Sequence, residues 1–158
     1  MGQFDSEQVR KIWQRVQGEK AKTGNIPFSK EPCPGIPEAV VRELSCAAIY
    51  TALSKQLPPM SRNMLHRLAR EEQQHAAVLK GVCTLSGGFC PPVKPIPIPK
   101  APAMILLRRC YGQKLQAIAE YEKRFSDPVH GTVFRKIAEQ EQNQCRILLQ
   151  LIGNGMHK

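Results

Sequence analysis

The chain has 158 residues, 42% of them hydrophobic, with 23 basic residues against 13 acidic ones and a net charge of +10. That length suits one domain around one core. No apolar run reaches the roughly 18–20 residues that span a bilayer, the first residues lack the apolar stretch of a secretory leader, and the basic residues are too scattered to form a nucleic-acid footprint. A cytoplasmic protein with a solvated basic surface is the expectation. Met1-Gly2 with Ser6 matches the loose myristoylation pattern, which is short and common by chance.

In chain order, residues 5–17 can form a short amphipathic helix with Val9, Ile12, Trp13 and Val16 on one side. Residues 18–35 read as a Gly- and Pro-rich loop. A first long helix is predicted from about Pro37 to Gln56, with Pro37 and Glu38 in its first turn and Pro58-Pro59 ending it. Its inward seam is Ile36, Val40, Glu43, Ala47 and Tyr50. A second helix, from near Ser61 to near Val82, carries the seam Leu65, Leu68, Glu72, His75, Leu79 and Val82. A third, from about Ala103 to Phe125, carries Leu106, Cys110, Gln113, Ala117 and Tyr121. A fourth begins around Asp127-Pro128 and carries Phe134, Ile137, Glu141, Gln144, Leu148 and Leu151.

The connections set the topology. The first and second helices are joined by a few residues, as are the third and fourth, so each pair is an antiparallel hairpin. The second and third are joined by CTLSGGFCPPVKPIPIPKAP, whose second half alternates Pro with other residues. Extended polyproline geometry rises about 3.1 Å per residue, so ten residues cover about 30 Å, the length of a 20-residue helix. The expected fold is all-α: a ferritin-like four-helix bundle over 36–152 with one long Pro-rich crossover, preceded by the helix and loop of 1–35 and followed by a tail at 153–158.

Two polar residues lie where an apolar stripe belongs. Glu72 and His75 sit in the middle of the second seam, and a buried charge needs a partner or a metal. A carboxylate and an imidazole one helical turn apart can grip one metal ion. The second half of the chain echoes the first: REEQQHAAVLKG resembles EQEQNQCRILLQ, aligning Glu72 with Glu141 and His75 with Gln144. Glu43 and Tyr50 are echoed by Gln113 and Tyr121.

On Glu43 with Tyr50, RLAREEQQHA, Gly112-Gln113 with Tyr121, and KIAEQEQNQ, residues 36–152 resemble the rubrerythrin branch of the ferritin-like superfamily. The resemblance implies a carboxylate-bridged di-iron centre in the bundle core. Glu43 and His75 would be terminal ligands, and Glu72 and Glu141 bridging ones. Two ligand positions depart from that pattern, Gln113 for a third-helix Glu and Gln144 for a fourth-helix His; Gln116 replaces a further carboxylate. A glutamine amide is a neutral, weak ligand. One retained metal position and one crippled position are therefore expected, with Tyr50, Tyr121 and Gln116 around them. Iron is the expected cofactor, as one or two ions, with manganese as the alternative and zinc as a contaminant by affinity order. The paired C-x-x-C motifs of a rubredoxin domain are missing, so a redox reaction would need an external electron donor.

Bland arrangements satisfy the same residues. Glu43 can pair with Arg109, His75 can be a core imidazole bonded to Glu43 or Glu141, burial and like charges can protonate Glu141, and Gln113 and Gln144 can join an amide–carboxylate network. Glu71, Glu120, Glu122 and Glu139 fall off the seams, and His66 and His130 have no partner that spacing identifies. Three function classes follow: a metalloprotein reacting with peroxide or oxygen; a non-catalytic bundle, metal-free or with a single metal, acting as a homodimer or through a partner; and, ranked last because no groove-reading element is visible, a basic DNA- or polyphosphate-associated protein. Of the six cysteines, Cys46, Cys110 and Cys145 are expected as buried thiols, and Cys83 and Cys90, either side of a Gly-Gly turn, as free thiols that could pair.

Overall fold

A computed structural model describes residues 33–155, Pro95 excepted. The predicted N-terminal helix lies outside the described residues. Among them are four helices: α1 (Ile36–Ser54), α2 (Pro59–Leu85), α3 (Ala103–Glu122) and α4 (Gly131–Gly155). All belong to one compact unit. The fold is the all-α bundle expected.

Local chemistry sets the helix ends. Gly35 precedes α1 at φ 74°, a left-handed conformation that a side chain disfavours. Pro37 follows in the first turn, where its missing N–H costs nothing. Arg124 donates to the Pro34 carbonyl and ties this entrance to the α3–α4 turn. Pro58 and Pro59 force a sharp break, and Arg62 Nε donates to the Ser54 carbonyl across it at 3.2 Å. The start of α4 is later than the sequence reading placed it. Asp127 Oδ1 accepts the backbone N–H groups of Val129 and His130, both at 2.8 Å, and so holds a turn that delays the helix to Gly131. At the other end α4 runs to Gly155, through part of the expected tail.

The hairpins α1–α2 and α3–α4 lie side by side, with α1 against α3 and α2 against α4. Two apolar clusters fill the two ends of the bundle. One joins Ile36, Val40, Leu79, Val82, Tyr121 and Phe134. The other joins Ile49, Leu53, Leu65, Leu68, Leu107 and Leu148. Each fully buried side chain of this kind contributes about 1.5–3 kcal/mol relative to exposure. The end of α2 lies in the first cluster and the start of α3 in the second, so the crossover travels the length of the bundle, as its polyproline pattern predicts. Ile96 to Pro99 pass beside Ser45, Ile49 and Arg109, over the α1–α3 face.

Every seam residue predicted on α1, α2 and α4 is buried. On α3 the reading fails at one position. Gln113 is half-buried, and Lys114 takes the inward place at 1% exposure. The buried residues Cys110, Lys114, Ala117 and Tyr121 are spaced four, three and four; a stripe through residue 113, spaced three, four and four, is equally helical, so spacing alone does not choose between the two.

Cys46, Cys110 and Cys145 are buried thiols, as expected. Cys83 is not free and does not pair with Cys90. It forms a disulfide with Cys33, with Cα atoms 5.7 Å apart, and Cys90 stays a half-buried thiol. Gly88 packs against this bridge: a Cβ there would collide with Cys33 Sγ. No helix among the described residues is long and apolar enough to cross a membrane.

Candidate metal centre

Between the two apolar clusters lies a polar layer. Glu43 enters it from α1, Glu72 and His75 from α2, and Glu141 from α4. The three carboxylates are fully buried and His75 is 3% exposed. One potential ligand atom from each of the four lies within 4.8 Å of the others, so the group can hold a metal ion. His75 Nδ1 is 3.1 Å from Glu141 Oε1 and 3.4 Å from Glu43 Oε2. Its Nε2 is 3.0 Å from Gln140 Oε1. Nδ1 thus points into the cluster while Nε2 is held from behind, the usual way to orient a ligating imidazole. Tyr121 Oη donates to Glu43 Oε1 at 2.5 Å.

The remaining helix of the layer, α3, contributes a cation. Lys114 Nζ donates to Glu72 Oε2, to Glu43 Oε2 at 3.4 Å and to Glu141 Oε1 at 3.1 Å, and lies 2.9 Å from Glu141 Oε2. Sequence reasoning missed this residue, because a lysine among polar neighbours reads as surface. Spacing could not have found it, since residues 113 and 114 fit the α3 stripe equally well.

The remaining predicted positions divide. Gln113 Oε1 accepts the Cys46 thiol at 3.3 Å, away from the carboxylates. Gln144 is buried, but its amide donates to Glu71 Oε2 at 3.1 Å, so Glu71 is not the free surface charge expected. Gln116 is exposed and bonded to Glu120, so it does not adjoin the centre. Glu120 is held by Arg42 at 2.7 Å. Tyr121 closes onto a candidate ligand, whereas Tyr50 is buried near the Cys46 and Cys110 thiols and reaches no carboxylate. The carboxylate of Glu43 takes Lys114, His75 and Tyr121 as its partners, not Arg109. His130 does have a partner, Ser86 Oγ at 3.2 Å.

The electrostatics follow from packing these charges out of water. Burial alone would lower Lys114, but Glu72, Glu43 and Glu141 outweigh it and hold the ammonium protonated. Burial likewise works against a charged His75, yet its hydrogen bonds to Glu141 and Glu43 push it up to about 10. Glu43 lies well below the ordinary carboxylate range, because Lys114 and His75 overcome its burial. Glu72 moves the other way: burial raises it, Lys114 opposes, and Glu43 and Glu141 reinforce the rise. Its Oε1 has no hydrogen-bond partner. Glu141 is raised as well, chiefly by burial, with Lys114 and His75 opposing and Glu43 reinforcing, so the cations Lys114 and His75 are shared among three buried carboxylates.

The donors also fit one divalent ion. Glu72 Oε1 has a free lone pair, His75 offers Nδ1, and oxygen with imidazole suits Fe²⁺ or Mn²⁺. Lys114 Nζ stands among the three carboxylates, within hydrogen-bond reach of each. A cavity of about 500 Å³ between α2 and α4 opens onto His75, with Gln74, Val78, Val133, Ile137 and Gln140 on its walls.

No known protein family, characterised protein or solved structure matches the chain.

Proposed function

We propose that this is a rubrerythrin-like, ferritin-type metal-binding protein whose centre takes one divalent ion, iron before manganese, through Glu43, Glu72, His75 and Glu141. The observation that carries the reading is the convergence of four buried ligand groups from α1, α2 and α4 within 4.8 Å. Bound iron supplies one-electron chemistry towards oxygen or peroxide. The chain's own residues orient and shield it: Gln140 sets the imidazole, Tyr121 fixes Glu43, and the apolar clusters close both ends of the layer to water. An external electron donor is part of the proposal, since no C-x-x-C pair is present.

Metal analysis of protein purified without chelator tests the binding. About one ion per chain is expected, lost in His75→Ala. Peroxide turnover by the iron-loaded protein tests the redox role, and a rate equal to that of His75→Ala removes it.

A second reading rests on Lys114, which already neutralises the carboxylates: a non-catalytic bundle, metal-free in use, pairing as a homodimer through outer faces that expose Val41, Ile105, Leu115 and Leu149. Metal-free purified protein that sediments as a dimer would favour it. A cytoplasmic location is also part of the proposal, and it requires Cys33 and Cys83 to be kept as thiols there. Thiol counting on protein trapped in intact cells distinguishes the compartments.

A further inference from the structure

We infer that Lys114 is the centre's built-in second cation, a tethered ammonium that stands among Glu43, Glu72 and Glu141 in place of a metal ion and limits the site to one. The inference deepens the single-metal reading above and rests on it only for the ion count of the unaltered chain.

Three observations carry it. First, Nζ contacts one carboxylate from each of the other three helices, and its side chain is 1% exposed. An ammonium shared this way occupies the position where the carboxylates converge. Second, the charge arithmetic matches. A glutamate at 114 would complete four carboxylates around the layer, one from each helix, the acidic set of a two-metal carboxylate site. Exchanging that negative charge for a positive one changes the fixed charge by two, as much as one divalent ion brings. Third, the neighbouring side chains that might have served a second ion are turned away. Gln144 faces Glu71, and Gln113 faces Cys46. Evicting Lys114 would strand its ammonium in an apolar interior, and that cost keeps a second ion out.

The metal-free protein should therefore fold without waiting for an ion, which an unneutralised cluster of three buried carboxylates would not do. The test compares the full chain with Lys114→Glu and Lys114→Met, each stripped with EDTA and then loaded anaerobically with Mn²⁺ or Fe²⁺ and desalted. Metal per chain and thermal midpoint are read. Lys114→Glu is expected to double the bound metal, from one ion to two. Chelated Lys114→Met is expected to melt about 10 °C or more below the chelated unaltered chain, with Mn²⁺ recovering more of that loss than it adds to the unaltered chain.

Two ions per chain in the unaltered protein would overturn the inference, as would a Lys114→Glu that holds no more metal than the unaltered chain. So would chelated Lys114→Met melting with the unaltered chain. If Lys114→Glu does not fold, the Lys114→Met midpoints decide. No metal in the unaltered chain but uptake by Lys114→Glu would uphold the role of Lys114 while removing the single-metal function. One ion in both would do the reverse.

Discussion

Glu43 and Glu72 are both buried glutamates touching Lys114, yet their removal should have opposite consequences. Glu43 accepts from Lys114 and Tyr121 and faces His75, and it lies below the ordinary carboxylate range. Glu43→Gln keeps the shape but deletes the anion, leaving two buried cations facing Glu141 and Glu72, both of which are pushed towards their neutral forms. Removing one partner from a buried ion cluster costs about 3–5 kcal/mol. For a domain of this size that is about 10–20 °C of melting temperature. Glu72 is pushed upward, chiefly by burial, which favours its neutral form. In Glu72→Gln an amide replaces a carboxylic acid of the same shape: the carbonyl oxygen still accepts from Lys114, and the NH₂ still donates towards Glu43. The expected cost is under about 1 kcal/mol, the range of exchanging one neutral hydrogen bond for another. Urea unfolding of EDTA-treated proteins at pH 7, with equal m-values, measures both. Equal losses in the two variants would refute the charge assignment, and a larger loss in Glu72→Gln would invert it.

Three further outcomes follow from the same geometry. Gln140→Ala releases His75 Nε2 and should weaken metal affinity about 10–100-fold with the fold intact, read by metal-competition titration. Glu72 and His75 are both pushed upward, so binding a divalent ion should release protons near pH 7, measured by calorimetry in buffers of different ionisation enthalpy. Affinity should accordingly rise with pH across the neutral range. Cys33→Ser opens a bridge between residues 50 apart in sequence and should cost about 4 kcal/mol on the chain-entropy account. Denatured, unreduced protein should show four thiols in the unaltered chain, the six cysteines less the bridged pair, and five in the variant.

Much of this architecture was readable before any coordinates. The three-and-four spacing of apolar residues on α1, α2 and α4 identifies the buried seams, because a helix repeats every 3.6 residues whatever surrounds it. The proline alternation of the crossover likewise fixes its reach locally. The centre was readable only as far as its carboxylates and imidazole, which stand out against an apolar stripe. Lys114 was not, because its burial makes sense only once Glu43, Glu72 and Glu141 have been brought to it from three other helices. The Cys33–Cys83 bridge escaped for the same reason: Cys90 is nearer in sequence, but the loop before α1 returns to the end of α2. The start of α4 was missed on a smaller scale, since the Asp127 side chain competes locally for the N–H groups that a helix would leave open.

That bridge has a mechanical consequence. It closes α1 and nearly all of α2 into a covalent ring, while α3 and α4 remain an open strand. Tension applied at the two ends of the chain passes through the sulfur link and bypasses the ring. Some 50 residues, about 170 Å of contour at full extension, stay hidden from a pulling experiment until a reductant is added. Stretched oxidised molecules should therefore yield first along α3 and α4, tearing Lys114 and Glu141 away while Glu43, Glu72 and His75 remain held together.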